Sequence, residues 1–230
     1  MRNIAAIFKK QVKDTLKNKT VLIQFLMFPV LTLIMNRAVR IDGMPEHFFV
    51  NLFATMYIGM APLTSIAAVI AEEKEKNTLR VLLMSNVKPY EYLWGVGSYI
   101  WLACMVGASV ICASAGYEMR EALTFMAIMA VGILASLFIG AAVGIFSKTQ
   151  MMATSITVPV MMIFSFLPML SMFNTTIARI ARFCWSEQVN RLLEQVTAHA
   201  FGMDAVWIIS GNMLLFAVLF AAAYRKCGLE

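Results

Sequence analysis

Glu72 and Glu73 stand side by side at the end of Phe48 to Ala71, a long run that holds no charged residue. Adjacent carboxylates at such a place could serve metal-assisted proteolysis inside a membrane, or they could carry force between parts of a protein or to a partner. The proteolytic arrangement wants an arginine four residues beyond the second glutamate; Asn77 is there, Arg80 comes too late, and no histidine lies in an apolar run to hold a metal. His47 and His199 are isolated, and although two such histidines could bind metal in principle, solvated surface is the ordinary reading. Of the four cysteines, Cys104 and Cys112 share one apolar run, while Cys184 and Cys227 fall on opposite sides of the membrane proposed below, so neither a disulfide framework nor a metal site follows. No G-x-x-x-x-G-K-[ST] loop is present to cradle a nucleotide phosphate. Chemistry on bound groups therefore has no candidate residues here: no catalytic, cofactor-binding or metal-binding residue is assigned to this chain.

The element that must position the glutamates is the block Glu72 to Pro89, EEKEKNTLRVLLMSNVKP, set between Phe48–Ala71 and an equally uncharged Tyr92–Tyr117. Leu79, Leu82 and Leu83 are spaced i, i+3, i+4 and share one helical face. Glu72, Glu73, Glu75, Lys76 and Arg80 are expected to stay available to water or to another protein. Its neighbours belong in a membrane: 60% of the residues are hydrophobic and only 14% charged, and the mean hydropathy is +0.75. The net charge of +6 does not point to nucleic acid, because the basic residues cluster beside apolar runs, as orientation in a bilayer requires.

The remaining elements follow in chain order. Residues 1–19 alternate Ile4, Ile7, Phe8, Val12 and Leu16 with Arg2, Lys9, Lys10, Lys13 and Lys17, the pattern of an amphipathic helix lying on an anionic leaflet. A secretory signal is the competing reading, but the charged region is too long, the apolar run from Val21 outlasts an h-region, and no A-x-A site follows. Six transmembrane helices are expected at about 21–39, 48–71, 92–116, 122–146, 151–173 and 206–224. Gly59 and Pro62 can kink the second, and Pro159 and Pro168 free carbonyls in the fifth. Residues 174–204 are too polar to span and too apolar to float free, so short helices dipping into the outer interface are expected there. With the N-terminus inside, all of the 19 Lys and Arg residues except Arg37, Arg40, Arg120, Arg179, Arg182 and Arg191 lie on the inner side. The positive-inside rule thus puts both termini, and the segment 72–91, in the cytoplasm.

Within the spans, Gly132, Ser136, Gly140 and Gly144 repeat every four residues and let another helix approach closely. Asn36, Thr64 and Ser165 have interhelical hydrogen bonding as their ordinary role and a substrate path as the alternative, a path to which Met161 and Phe164 would add an adaptable apolar surface. No Asp, Glu, Lys, Arg or His lies in the apolar cores of the spans, which counts against proton- and ion-coupled carriers and voltage sensors. Energy must enter from elsewhere.

EEKEKNTLRVLLMSNVKPYEYLWGV resembles the cytoplasmic segment after the second helix in permeases of the ABC-2 family of ATP-driven transporters, where charged residues precede a Gly/Asn-Thr-Leu and a Leu-Leu pair. IGAAVGIFSKTQMMATSITVPVMMIFSFLPM is similar to that family's fourth helix, polar turn and proline-containing fifth helix, and IARIARFCWSEQVNRLLEQV is placed like its amphipathic stretch before the last span. Asn77 departs from the pattern where Gly is commoner, and Asn86 where Pro often stands. The resemblance implies an all-α, type V exporter-like bundle in a bacterial cytoplasmic membrane, paired with a second permease chain as homodimer or heterodimer. It also implies two copies of a separate ABC ATPase subunit that carries the ATP and magnesium. By that resemblance Glu72, Glu73, Glu75, Lys76, Thr78, Leu79, Arg80, Leu82 and Leu83 belong to a coupling segment resting on the ATPase, and the cargo is a hydrophobic or amphipathic compound: a drug, an antimicrobial peptide or a lipid-linked molecule. A membrane scaffold or sensor that transports nothing is the alternative from a different class.

Overall fold

The computed structural model describes residues 2–17, 19–39, 43, 45–85, 87–197 and 202–227. Asn86 and His199 lie outside the described residues, as does the side chain of Leu83. Regular structure among the described residues is helical: α1 (Arg2–Lys17), α2 (Lys19–Ala38), α3 (Phe48–Glu75), α4 (Thr78–Met84), α5 (Pro89–Ala115), α6 (Met119–Phe146), α7 (Gln150–Phe173), α8 (Thr175–Ala181), α9 (Trp185–Glu194) and α10 (Met203–Cys227). By length and composition, α3, α5, α6, α7 and α10 can each cross a membrane, and α1 with α2 forms a sixth candidate, bent by 70° between its halves.

The helices run past the apolar stretches into polar sequence because their ends are capped there. Pro89 opens α5 at its first turn, and the Lys88 backbone N–H donates to Glu91 Oε2 at 3.0 Å. Glu121 Oε2 accepts from the Glu118 N–H at 3.1 Å at the start of α6. Gly116, at φ 71°, closes α5 in the left-handed region. Thr149 caps α7 by accepting from the Met152 N–H at 3.2 Å.

α3 is the axis of the bundle, and the small-residue row of α6 lies along it. A Cβ added to Gly140 would stand 2.3 Å from the Leu63 carbonyl oxygen, and one on Gly144 would stand 3.1 Å from Ala67 Cα. Helices in lipid gain little from burying apolar surface, so such backbone-to-backbone approach supplies the packing instead. Ser136 has a second task. Pro62 has no N–H to give the Ile58 carbonyl one turn back, and the Ser136 hydroxyl donates to that carbonyl. On another side of α3, Gly59 accommodates Ser165 of α7, and Gln24 of α2 donates to Thr64.

The two amphipathic segments also make contacts within the bundle. α1 packs part of its apolar face on α5, with Ile7 buried against Gly95 and Phe8 edge-on to Tyr99 at 5.6 Å between centroids, while Leu16 is 66% exposed. Lys9, Lys13 and Lys17 stay exposed. α9 is likewise drawn inward, with Trp185 and Val189 fully buried among α3, α6, α7 and α10. Its polar groups tolerate that place because they are paired: Glu187 holds Arg191 at 3.0 Å and accepts from the Ser171 hydroxyl at 2.8 Å.

Candidate functional site

The charged block is two structures joined by a turn, where a single amphipathic handle was expected. Glu72 to Glu75 form the last turn of α3, and only Thr78–Met84 forms the separate helix α4. Between them Asn77 adopts φ 56°, the left-handed conformation that glycine takes freely and asparagine more readily than most other residues. Its N–H bonds the Lys74 carbonyl at 3.0 Å, and the Thr78 hydroxyl donates to the Glu73 carbonyl at 3.1 Å. This left-handed turn, with the Glu73 and Lys74 carbonyls satisfied, ends α3 and starts α4.

The glutamates are not equivalent: Glu73 is buried, whereas Glu75 is exposed. Glu73 is 7% exposed; its Oε1 accepts from Lys10 Nζ at 2.5 Å and from Gln11 Nε2 at 2.8 Å. Burying a carboxylate is tolerable only with such charged and neutral donors around it. Glu75 accepts from the Gln150 backbone N–H at 2.7 Å, at the first turn of α7, while Lys74 donates to the Ile145 carbonyl at 2.7 Å, at the last turn of α6. Each sign suits the helix end it meets, an anion at an N-terminus and a cation at a C-terminus, for about 0.3–1 kcal/mol apiece. Glu72 stays at the surface and pairs with Lys76 at 2.5 Å; its carboxylate holds the Lys76 ammonium pKa above the usual range. One helical turn thus fastens α3 to α1, α6 and α7 together.

α4 hangs from this junction with one side held and the other bare. Leu79 is buried and Leu82 half-buried, while Arg80 is exposed. Val81 and Met84, one turn apart, are 64% and 80% exposed among the described residues and form an apolar pair. A family model described as ABC-2 family transporter protein matches residues 3–225. The chain belongs to the ABC-2 transporter family. No curated relative matches it. This ABC-2 protein is accordingly a multi-pass membrane protein and the permease component of an ABC transporter, working in a membrane complex with an ABC ATPase.

Of the candidate path residues of this permease, Met161, Phe164 and Ser165 share one face of α7, while Asn36 and Thr64 are on other helices. Asn36 donates to the Ser114 carbonyl of α5 at 2.7 Å, and Thr64 accepts from Gln24 of α2. Phe164 packs on Trp185 at 5.9 Å, and Met161 is half-buried on α7. Ser165 lines a cavity between α3, α7 and α9. Residues that sequence reasoning passed over are Lys10, Gln11, Lys74 and Gln150 in the junction and Val81 and Met84 on α4. Gln11 carried a signal: it falls on the Ile4, Ile7, Thr15 side of α1, where a polar residue in a packed stripe asks for a partner.

Proposed function

We propose that this permease exports a hydrophobic or amphipathic compound, and that α4 with the junction above it is the lever through which the partner ATPase acts. The observation that carries the reading is the anchoring of the last turn of α3 to α1, α6 and α7 directly beside an exposed apolar pair, Val81 and Met84. A groove on the ATPase that grips Val81 and Met84 moves α4; Asn77 sets the angle, and the junction's ion pair and hydrogen bonds pass the displacement to several helices at once. In this reading two ATPase copies, holding the ATP and magnesium, serve a pair of permease chains in a cytoplasmic membrane, with the charged junction and both termini inside.

The test is a Val81→Asp/Met84→Asp double variant, in which two charges replace the bare apolar pair without touching the junction. It should insert and unfold thermally like the parent, yet lose co-purification with the ABC ATPase and substrate-stimulated ATP hydrolysis by about tenfold or more. Full stimulation in the double variant would remove α4 as the docking element. Glu73→Gln should retain ATPase binding but weaken stimulation, since the ATPase then pushes on a lever less firmly tied to α1.

A further inference from the structure

Twenty-two residues up α3 from Glu73, about 33 Å at 1.5 Å per residue, a cavity of about 340 Å³ opens between α3, α7 and α9. That is in the range of small-molecule sites. One wall is apolar and adaptable: Leu52, Pro168, Met169 and Met172. The other is a hydrogen-bonded row in which the Thr55 hydroxyl donates to Asn190 Oδ1 at 3.1 Å and Asn190 Nδ2 donates to Glu194 Oε1 at 2.9 Å. Asn51 also faces the cavity. Although it is only 7% exposed, its single side-chain contact among the described residues is a long one, 3.5 Å from the Tyr117 hydroxyl.

The charges are one-sided. Glu46 and Glu194 line the cavity, and its described lining holds no Lys, Arg or His. Arg191, the nearest cation in sequence to Glu194, also attracts that carboxylate but is paired at 3.0 Å with Glu187. Both carboxylates are exposed, so they stand where the cavity opens to solvent and favour the approach of cations over anions. A bare metal ion is a poor occupant, because no group of three or more His, Cys, Asp or Glu converges among the described residues, whereas methionine thioethers pack well against irregular apolar and aromatic bodies.

We propose that this cavity is a binding site for an organic cation with a compact apolar body, the charge lying between Glu194 and Glu46 and the body against Met169 and Met172. As a statement about cargo it rests on the export reading. As a statement about binding it does not, and it is tested without the ATPase. Ethidium fluorescence is titrated against the full chain in phosphatidylcholine nanodiscs. The parent should bind saturably, and Glu194→Gln, which keeps an acceptor for Asn190, should weaken binding by about tenfold, as expected for one lost charge contact. Met172→Trp, which fills the mouth from an exposed position, should abolish binding, and benzyltrimethylammonium should displace ethidium where its neutral isostere neopentylbenzene does not. Equal binding by the parent and both variants would show ethidium merely dissolved in the bilayer, and equal displacement by the neutral isostere would show an apolar hole without charge selection; either overturns the proposal. If ethidium binds as described but the ATPase complex does not move it, the binding site stands and the export reading falls.

Discussion

The two ends of α3 are both polar, and they are built on opposite plans. At the Glu72–Glu75 end the charges are spent on neighbouring helices: Glu73 on α1, Lys74 on the end of α6, Glu75 on the start of α7. At the Phe48–Thr55 end the polar groups surround a cavity, and Asn51 and Glu194 keep hydrogen-bonding capacity in hand. One end is suited to passing on a displacement, the other to receiving a molecule. Polar groups in a membrane protein therefore have to be classified by where their bonds go, since composition alone makes the two ends look alike.

That contrast can be broken most severely at the seam between the ends. Gly140→Leu drives a side chain into the Leu63 carbonyl, 2.3 Å from where its Cβ must sit, a backbone clash that no rotamer relieves. The cost should reach or exceed the roughly 1–3 kcal/mol of ordinary overpacking, and size-exclusion chromatography should show loss of the monodisperse species. A sharp peak at parental melting temperature would mean that α6 does not lie on α3. Ser171→Ala probes the cavity end alone by removing the hydroxyl from buried Glu187. Thermal unfolding should reveal a loss of about 1–3 kcal/mol, with ATPase stimulation per folded molecule unchanged; a fall in stimulation would erase the distinction between the ends. The smallest effect is expected from Tyr92→Phe. The Tyr92 hydroxyl and Glu73 Oε2 are both buried, interact with each other and yet fall outside hydrogen-bond geometry, so deleting the hydroxyl should change stability by less than about 1 kcal/mol. A loss above about 1 kcal/mol would reveal a bond between these two groups.

Features that depend on near neighbours were legible in the sequence. Gly132, Ser136, Gly140 and Gly144 form a face by spacing alone, and a close helix approach follows from their size. Asn77 was legible only in part: its place in the motif marked it as a stand-in for glycine, and the reason is its φ of 56°. What could not be read depends on distant partners. Glu73 meets Gln11 and Lys10 across 62 and 63 residues of chain, and nothing local separates it from Glu72, which stays at the surface. The contact of α1 with α5 and the burial of α9 were equally hidden, because an apolar helix face fits lipid and protein alike and the hydrophobic pattern does not say which covers it. The exposed pair Val81 and Met84 escaped notice because the leucines define the apolar stripe of α4, and which side of a short helix is covered depends on the turn at Asn77.

The Lys10 and Gln11 contacts to Glu73 also bear on how the chain is made. A ribosome delivers α1 and α2 before α3, so the carboxylate that must be buried meets its donors as soon as α3 emerges. Ile145 and Gln150, which Lys74 and Glu75 engage, arrive only after two more long helices have been synthesised. The N-terminal helix thus acts as a built-in escort, shielding the one charge that cannot wait while its exposed neighbours stand in water until the rest of the bundle arrives.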